Sequence, residues 1–226
     1  MDFMAFIRAS QNCPARDFQT WYLGIFAPTL VDRHPGLERH VVNVTEQGPE
    51  ELRLPHDSRD PAARYDVVAQ MACKKEEFRS VLETMRAGLA GRADGLHAYR
   101  VSDTVVLDKE PSRPDSLPGF KLLRELLFYE DMSDAAARRC WAHHARLALK
   151  VHVGMTRYVQ HWVEERMSPD SPATRGISEL YFPTREDLVQ RYYESPRGRD
   201  EVVHDTGHFI ERRLPRVYAR EHVLKT

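Results

Sequence analysis

The segment Phe26-Ala-Pro-Thr-Leu-Val-Asp-Arg-His34-Pro-Gly36 aligns without a gap with His144-Ala-Arg-Leu-Ala-Leu-Lys-Val-His152-Val-Gly154 in the second half of the chain. The two segments end on the same pattern of a histidine and a glycine, and beyond them Arg39 falls on Arg157. Self-similarity at a fixed spacing indicates that one structural unit occurs twice. The 226 residues are therefore interpreted as two fused halves.

The same order of secondary structure surrounds both segments. Apolar residues at helical spacing predict helices, and β-branched or alternating apolar runs predict strands. In the first half these patterns predict strands over 1–10, 37–46, 65–73 and 97–107, with helices over 17–31 and 74–89. In the second half they predict strands over 121–129, 156–165, 177–182 and 216–224, with helices over 134–151 and 185–193. Ser133 and Thr184 are placed to cap the last two helices.

A βαββαβ unit covers only one face of its sheet with its own helices, so two units gain stability by packing their bare faces together. The predicted fold is α+β: tandem ferredoxin-like βαββαβ repeats forming one pseudo-dimeric α/β barrel, with helices outside antiparallel sheets. Residues 1–110 form a first, mainly structural half, and residues 120–226 form a second half with the active cleft. Residues 111–119 are rich in proline and are interpreted as a linker.

The composition narrows the class of partner. The 33 Lys and Arg nearly balance the 34 Asp and Glu, which argues against nucleic acid or an anionic membrane as a partner. The local basic group of Arg212, Arg213 and Arg216 is interpreted as a solvated surface, with anion contacts as the alternative. Neither a signal sequence nor a transmembrane run is evident, so the protein is expected in the cytoplasm. Three widely spaced cysteines suggest neither a disulfide framework nor a zinc site.

One histidine lies on the apolar face of the predicted helix 134–151. His144 shares that face with alanine, tryptophan and valine side chains, whereas His143 falls on the polar face. A buried imidazole needs a hydrogen-bond partner or an aqueous cleft, because unpaired nitrogens are costly in a core. His144 therefore fits two roles, a satisfied core residue or a general acid/base.

The elements His144-Ala-Arg-Leu, Gly154 and Tyr158 resemble the EthD-like family of the dimeric α/β-barrel group. In that family the first helix often carries a His-Ala-Pro-Leu-type segment before a glycine and a Tyr-bearing strand. The resemblance covers most of the second half, including Glu179-Leu-Tyr-Phe on the predicted third strand. It implies the barrel fold. Similar barrels perform proton-transfer chemistry without an organic cofactor, so the resemblance also implies no cofactor.

Two positions depart from the family pattern. Arg146 stands where the family usually has proline, and Phe26 occupies, in the first half, the position of His144. Phenylalanine cannot transfer protons. The chain is therefore predicted to hold one active cleft, with the first half as its structural partner.

Four residues form the predicted catalytic set: His144, Tyr158, Glu179 and His161. His144 is the principal general acid/base, since an imidazole titrates near neutral pH. Tyr158 is a candidate donor to a substrate oxygen, or else a structural aromatic. Glu179, in an apolar setting, orients a histidine, acts as an acid or forms an ordinary salt bridge. Tyr158 and His161 point to opposite faces of their strand, so the face that lines the cleft decides between the secondary candidates.

A second histidine pair has the spacing of metal ligands. His204 and His208 stand at i and i+4 near Glu201 and Asp205. Gly207 weakens a helix there and no third ligand is evident, so a polar loop without metal is predicted. The sequence also contains no Gly-rich phosphate loop and no G-x-S-x-G elbow.

Three functions remain open from the sequence. The first is a cofactor-independent enzyme that uses general acid/base chemistry, of the lyase, isomerase, cyclase or dehydratase type. Its substrate is a small apolar oxygenated catabolic intermediate, either aromatic or non-aromatic. The second is a cofactor-free oxygenase. The third is a non-catalytic ligand-binding accessory protein of a degradation pathway. In each case the partner is a small molecule, and association into a homodimer is compatible with all three.

Overall fold

A computed structural model describes residues 1–52, 65–109 and 119–226. In the first half the strands are β1 (Asp2–Ala9), β2 (Leu37–Glu46), β3 (Val67–Cys73) and β4 (Ala93–Asp108), and the helices are α1 (Ala15–Trp21), α2 (Ala27–Arg33) and α3 (Phe78–Leu89). In the second half the strands are β5 (Phe120–Phe128), β6 (Arg157–Arg166), β7 (Gly176–Phe182), β8 (Ile210–Arg213) and β9 (Val217–Lys225), and the helices are α4 (Asp134–Val151), α5 (Arg185–Arg191) and α6 (Pro196–Thr206). A π-helical turn, Tyr22–Phe26, joins α1 to α2, and a 3-10 turn spans Glu50–Leu52.

The antiparallel pairings reproduce one strand order in both halves. In the first half the order is β4-β1-β3-β2, and in the second it is β9-β5-β7-β6. Both orders place the first and third strands of the unit in the centre, as a ferredoxin-like βαββαβ unit does. The predicted tandem repeat is therefore confirmed.

The two sheets close into one barrel. β4 pairs with β6 at one junction and β2 pairs with β9 at the other, while β5 pairs with β7 inside the second half. The short strand β8 adds to β5 outside this ring. Side chains from both halves fill the barrel interior, among them Met4, Phe6, Val68, Leu123, Ile177 and Val217. The predicted single barrel, rather than two separate domains, is confirmed.

The helices lie on the outer faces of the sheets. The first-half helices pack through a cluster that includes Phe18, Leu30 and Met85, and the second-half helices pack through clusters that include Trp141 and Leu188. The predicted caps form: the hydroxyl of Ser133 accepts a hydrogen bond from the backbone N–H of Ala136, and that of Thr184 accepts one from the N–H of Asp187. Apolar stripes and caps thus fix the helices against the sheet. No helix in the described ranges has both the length and the apolar character needed to span a bilayer.

The glycine shared by the two repeats has a packing role in the second half. A Cβ at Gly154 would lie 2.8 Å from the carbonyl oxygen of Asp187 and 2.7 Å from the Cβ of Arg191. The N–H of Gly154 also donates to the carbonyl of Arg191 at 3.0 Å. Helix α5 can approach this turn so closely only because the residue has no side chain.

The structure corrects one sequence expectation and leaves another as a prediction. The segment around His204 was expected to be a polar loop, but it forms α6, because Ser195 caps it and Pro196 occupies its first turn. The linker predicted over 111–119 lies, except for Gly119, outside the described residues. The boundaries 1–110 and 120–226 remain predictions.

Candidate active site

A cavity of about 80 Å³ lies between the outer face of the second-half sheet and the helices α4 and α6. Most of its wall is apolar or aromatic, with a few polar groups, which is the usual composition of a small-molecule site. The apolar part of the wall is Leu122, Leu126, Trp141, Ala148, Leu180, Val202, Val203, Phe209 and Ile210. The polar part is Arg124, His144, His152, Tyr158, Ser178, Tyr192, Tyr193, Thr206 and Arg216. Val203 is 42% exposed, so the cavity reaches solvent beside α6.

His144 lies in this wall and is paired with a carboxylate. Its Nδ1 is 2.6 Å from Oδ2 of Asp205, and its ring packs 5.6 Å from that of Phe209. His144 is only 7% exposed, whereas the side chain of Asp205 is 30% exposed. An ionised carboxylate accepts, so the Nδ1–H of His144 donates to Asp205 and proton exchange with a ligand would use Nε2. A histidine oriented in this way has the arrangement of a general base.

Asp205 was not predicted as a site residue, although the signal that positions it is in the sequence. The hydroxyl of Ser195 accepts a hydrogen bond from the N–H of Gly198 at 3.0 Å and so starts α6. That helix then crosses α4 and brings Asp205 to His144. A Ser-Pro pair is a regular helix start, but Gly207 had favoured the prediction of a loop.

Tyr158 lies in the same cavity wall as His144. The Nε2–H of Gln160 donates to the hydroxyl oxygen of Tyr158 at 2.9 Å and to the carbonyl oxygen of Trp141 at 3.0 Å. Burial raises the pKa of Tyr158 to about 12, against the opposing hydrogen bonds from Gln160 and Trp141. The phenol therefore stays protonated near neutral pH and can serve as a hydrogen-bond donor.

Two guanidinium groups occupy another part of the wall. The Nε–H of Arg124 donates to the carbonyl of Leu214 at 2.9 Å, and Arg216 donates to the carbonyl of Leu52 at 2.6 Å. Arg216 also stacks over the ring of Tyr192 at 5.4 Å. The interpretation of Arg216 as a solvated surface residue is wrong, because the turn before β9 directs its side chain into the cavity wall. The side chains of Arg212 and Arg213 are outside the described part of the protein.

His152, the last histidine of the repeat segment, is buried beside the cavity. Its Nδ1–H donates to the carbonyl of Tyr192 at 2.5 Å, and its ring lies 4.5 Å from that of Tyr192. Burial lowers the pKa of His152 to about 4. The imidazole is neutral at physiological pH and contributes a fixed wall rather than a charge.

The other two predicted residues lie elsewhere, inside the barrel. His161 Nε2 is 3.2 Å from Oε2 of Glu179, and His161 Nδ1 is 2.7 Å from Oδ1 of Asp103 on β4. The cleft is lined by the face of β6 that carries Tyr158, so His161 points away from it. The structure thus brings His144 together with Tyr158, and His161 together with Glu179, in two separate places.

The interior group is a compact ionic network that includes a buried lysine. Nζ of Lys121 lies 3.0 Å from Oε1 of Glu179, 2.5 Å from Oε2 of Glu221 and 2.8 Å from Oε1 of Gln70. Burial alone would raise the pKa of Glu179, but Lys121 and His161 hold it well below its usual range. Burial opposes the charged form of His161 as well, yet its two carboxylate partners raise its pKa. The arrangement fits a structural network that joins strands of both halves.

A second buried carboxylate lies further along the barrel. The hydroxyls of Tyr65 and Tyr99 donate to the two oxygens of Glu125 at 2.6 and 2.5 Å, and Thr174 donates at 3.3 Å. Burial raises the pKa of Glu125, and these hydrogen bonds oppose the rise. Glu125 was not predicted as a site residue, because its hydroxyl partners Tyr65, Tyr99 and Thr174 are far from it in the sequence and meet it only in the folded barrel.

Among the described residues of the first half, the position of His144 holds a phenylalanine and no corresponding dyad forms. Phe26, at the repeat position of His144, packs with Trp21 and Tyr22 at ring distances of 5.1 and 5.2 Å. The surroundings are an aromatic core rather than a polar wall. The assignment of this half as a structural partner remains a prediction.

The comparisons with known proteins agree with the fold. Residues 129–213 match the EthD domain family, and this segment contains His144, Tyr158 and Asp205. A comparison with curated proteins gave no match.

Solved structures match nearly the whole chain. An anthrone oxidase-like protein is 11% identical with a TM-score of 0.60, and the match covers 98% of this chain and 91% of that one. A chlorite dismutase from Candidatus Nitrospira defluvii is 9% identical with a TM-score of 0.54, with coverage of 97% and 90%. A candidate monooxygenase from Lactobacillus acidophilus NCFM is 9% identical with a TM-score of 0.51, with coverage of 99% and 95%. At these identities the likeness concerns the fold. Residues 129–213 thus match the EthD domain, within a chain that has the fold of the dimeric α/β-barrel proteins.

Proposed function

We propose that this protein is an enzyme that transfers protons on a small, largely apolar oxygenated substrate bound between the second-half sheet and helices α4 and α6. The observation that carries the proposal is the 2.6 Å contact between His144 Nδ1 and Asp205 in the wall of an apolar cavity. A carboxylate-oriented imidazole in a concave, largely apolar wall is suited to general acid/base catalysis.

Each polar group has a distinct part in this reaction. Nε2 of His144 takes a proton from a phenol, an enol or a carbon next to a carbonyl. The Asp205 carboxylate keeps Nδ1 protonated and stabilises the imidazolium that forms. The hydroxyl of Tyr158 donates to the substrate oxygen on which negative charge develops, and a preorganised donor of this kind is most effective where water is excluded. His144 then returns the proton to another atom, which gives an isomerase, cyclase, lyase or dehydratase outcome.

The volume of the cavity limits the substrate. A cavity of about 80 Å³ has room for several water molecules. An aromatic substrate therefore requires movement of side chains at the solvent edge, where Val203 on α6 is exposed. Substrate entry beside α6 would also adjust the position of Asp205, which belongs to the same helix.

A cofactor-free oxygenase is the second candidate. The fold likeness to an anthrone oxidase-like protein and to a candidate monooxygenase supports it. The first step would be the same, because removal of a proton by His144 leaves an electron-rich substrate anion. In this case the anion passes its electrons to O₂ instead of receiving a proton.

One experiment separates these reactions and tests the proposal. Small phenols, enolisable ketones and unsaturated lactones are incubated with the protein in D₂O, while proton NMR follows deuterium incorporation and an electrode follows O₂. Rearranged or deuterated products without O₂ uptake support proton transfer, and O₂ uptake in proportion to product supports the oxygenase. Ligands that bind without any turnover would indicate the non-catalytic accessory role and contradict the proposal. Size-exclusion chromatography of the same sample tests the homodimer.

A further inference from the structure

The two exposed histidines at the end of α6 are positioned more regularly than their sequence suggested. Nε2 of His204 lies 3.3 Å from Nε2 of His208, and the two rings are 4.7 Å apart at an interplanar angle of 86°. Two neutral imidazoles can share a hydrogen bond at this distance. Two imidazole nitrogens that bind one metal ion lie at nearly the same distance from each other. The separation of His204 and His208 therefore also agrees with metal binding.

The backbone holds this spacing in place. The helical hydrogen bonding continues beyond Thr206: the N–H of Gly207 donates to the carbonyl of Val203 at 3.2 Å, and that of His208 donates to the carbonyl of Asp205 at 3.1 Å. The hydroxyl of Tyr129 donates to the carbonyl of Gly207 at 2.9 Å. Helix α6 ends at Thr206, but Gly207 keeps right-handed helical dihedrals (φ −61°, ψ −19°), so the turn continues to His208. The two imidazoles therefore lie side by side although His208 follows the end of the helix.

The observed separation agrees with metal coordination. A metal–nitrogen bond is about 2.0–2.1 Å, so two nitrogens at a tetrahedral angle lie roughly 3.3–3.4 Å apart. Both rings are solvent-exposed, so a small rotation of each can turn its Nε2 lone pair toward a shared point. Imidazole nitrogen is a preferred ligand of Zn²⁺, Cu²⁺ and Ni²⁺.

We propose that His204 and His208 form a surface binding site for one divalent transition-metal ion, with water completing its coordination. In the described part of the chain no group of three His, Cys, Asp and Glu side chains is placed to hold a metal, so this site has two protein ligands. Its affinity is accordingly below that of a closed structural zinc site.

Metal binding at this site would also hold in place the His144–Asp205 dyad of the proposed function. Asp205, which lies between the two histidines in sequence, contacts His144 at 2.6 Å, and Phe209, which follows them, packs on the His144 ring at 5.6 Å. A metal that ties His204 to His208 fixes the turn from which both contacts arise. The metal site itself does not depend on the catalytic proposal.

The test uses the full chain without a polyhistidine tag, stripped with EDTA and titrated with Zn²⁺ in a calorimeter. We expect one ion per chain for the wild-type protein. His204→Ala and His208→Ala should each weaken binding by about ten-fold or more, which corresponds to at least ~1.4 kcal/mol. His143→Ala removes an exposed histidine of α4 and should bind as the wild type does. Cu²⁺ EPR should show coordination by two nitrogens in the wild type and its loss in both variants.

Several results would overturn the proposal. These are no binding of Zn²⁺ up to millimolar concentration, equal affinity in the wild type and the His204→Ala/His208→Ala double variant, or an effect of only one of the two histidines. Circular dichroism in EDTA verifies that each variant is folded, and His204→Gln provides a second substitution if the alanine variant is not. Because binding is measured without substrate, its failure leaves the catalytic proposal standing, and the reverse also holds.

Discussion

His144 and Asp205 are joined by a 2.6 Å hydrogen bond from Nδ1 to Oδ2, although one lies on α4 and the other on α6. This contact does three things at once. It satisfies a polar atom of a side chain that is 7% exposed, it selects the tautomer with a basic Nε2, and it ties together the two helices that cover the cavity.

Asp205→Asn should lower kcat because the amide carries no charge to stabilise the imidazolium and can present an N–H to Nδ1, which favours the wrong tautomer. We expect a loss of about 10- to 1,000-fold with little change in the thermal unfolding midpoint, since the side chain is 30% exposed. Glu201→Gln, on the same helix but paired with Arg197, is the matched control and should retain wild-type kcat. Equal kcat in the two variants would show that Asp205 has no part in catalysis.

Tyr158→Phe should reduce kcat/KM by about ten-fold or more, because the substrate oxygen loses a preorganised donor. The substitution also leaves the Nε2–H of Gln160 with one acceptor fewer, so urea denaturation should show a loss of about 1 kcal/mol in the free energy of unfolding. With its pKa near 12, Tyr158 stays protonated, and the activity of the wild type should not fall through its ionisation below about pH 11. Unchanged kcat/KM would make Tyr158 a structural aromatic.

Much of the fold could be predicted because its signals are local. The alternation in the strands and the caps at Ser133 and Thr184 can be recognised from neighbouring residues alone. The repeat can be recognised by aligning two short segments, Phe26–Gly36 and His144–Gly154. Helix α6 was missed because Gly207 lowers helix propensity, whereas tertiary contacts such as that of Asp205 with His144 stabilise the helix.

The site was predictable only in part. The inward face of α4 selected His144, and strand parity placed Tyr158 on the opposite face from His161. The alternation of side chains along a strand does not show which of its faces points into the barrel. The sequence therefore could not exclude Glu179 and His161 from the cleft. Partners that come from distant strands, such as Lys121 for Glu179, depend on barrel closure.

Lys121→Met should destabilise the barrel without acting through the cavity. The side chain of Lys121 is 2% exposed and contacts both Glu179 and Glu221, so its removal takes the ammonium away from two interior carboxylates, of which Glu179 still contacts His161. We expect a loss of about 3–5 kcal/mol in the free energy of unfolding, measured in urea. Arg191→Met removes the exposed ion pair with Asp187 and should cost less than about 1 kcal/mol. A loss for Lys121→Met as small as that of the control would contradict the assignment.

His152 should make stability depend on pH in the acid range. Burial lowers its pKa from 6.5 to about 4, so on acidification the unfolded chain binds a proton before the folded one does. As far as His152 is concerned, the free energy of unfolding is highest above about pH 6.5. It falls by about 3 kcal/mol in total as the pH drops to about 4. His152→Asn keeps a donor for the carbonyl of Tyr192 but does not titrate. The unfolding free energy of this variant should change less between pH 7 and pH 4; an identical pH dependence would mean that His152 titrates normally.

The central claim is that His144 moves the proton, and the most direct test is kcat/KM of His144→Gln beside the wild type on a substrate identified by deuterium incorporation. Glutamine retains polarity but cannot act as a base near neutral pH. We expect a folded variant, verified by its thermal unfolding midpoint, with kcat/KM lower by about 100- to 10,000-fold. A folded His144→Gln protein that turns over within about two-fold of the wild type would contradict the account.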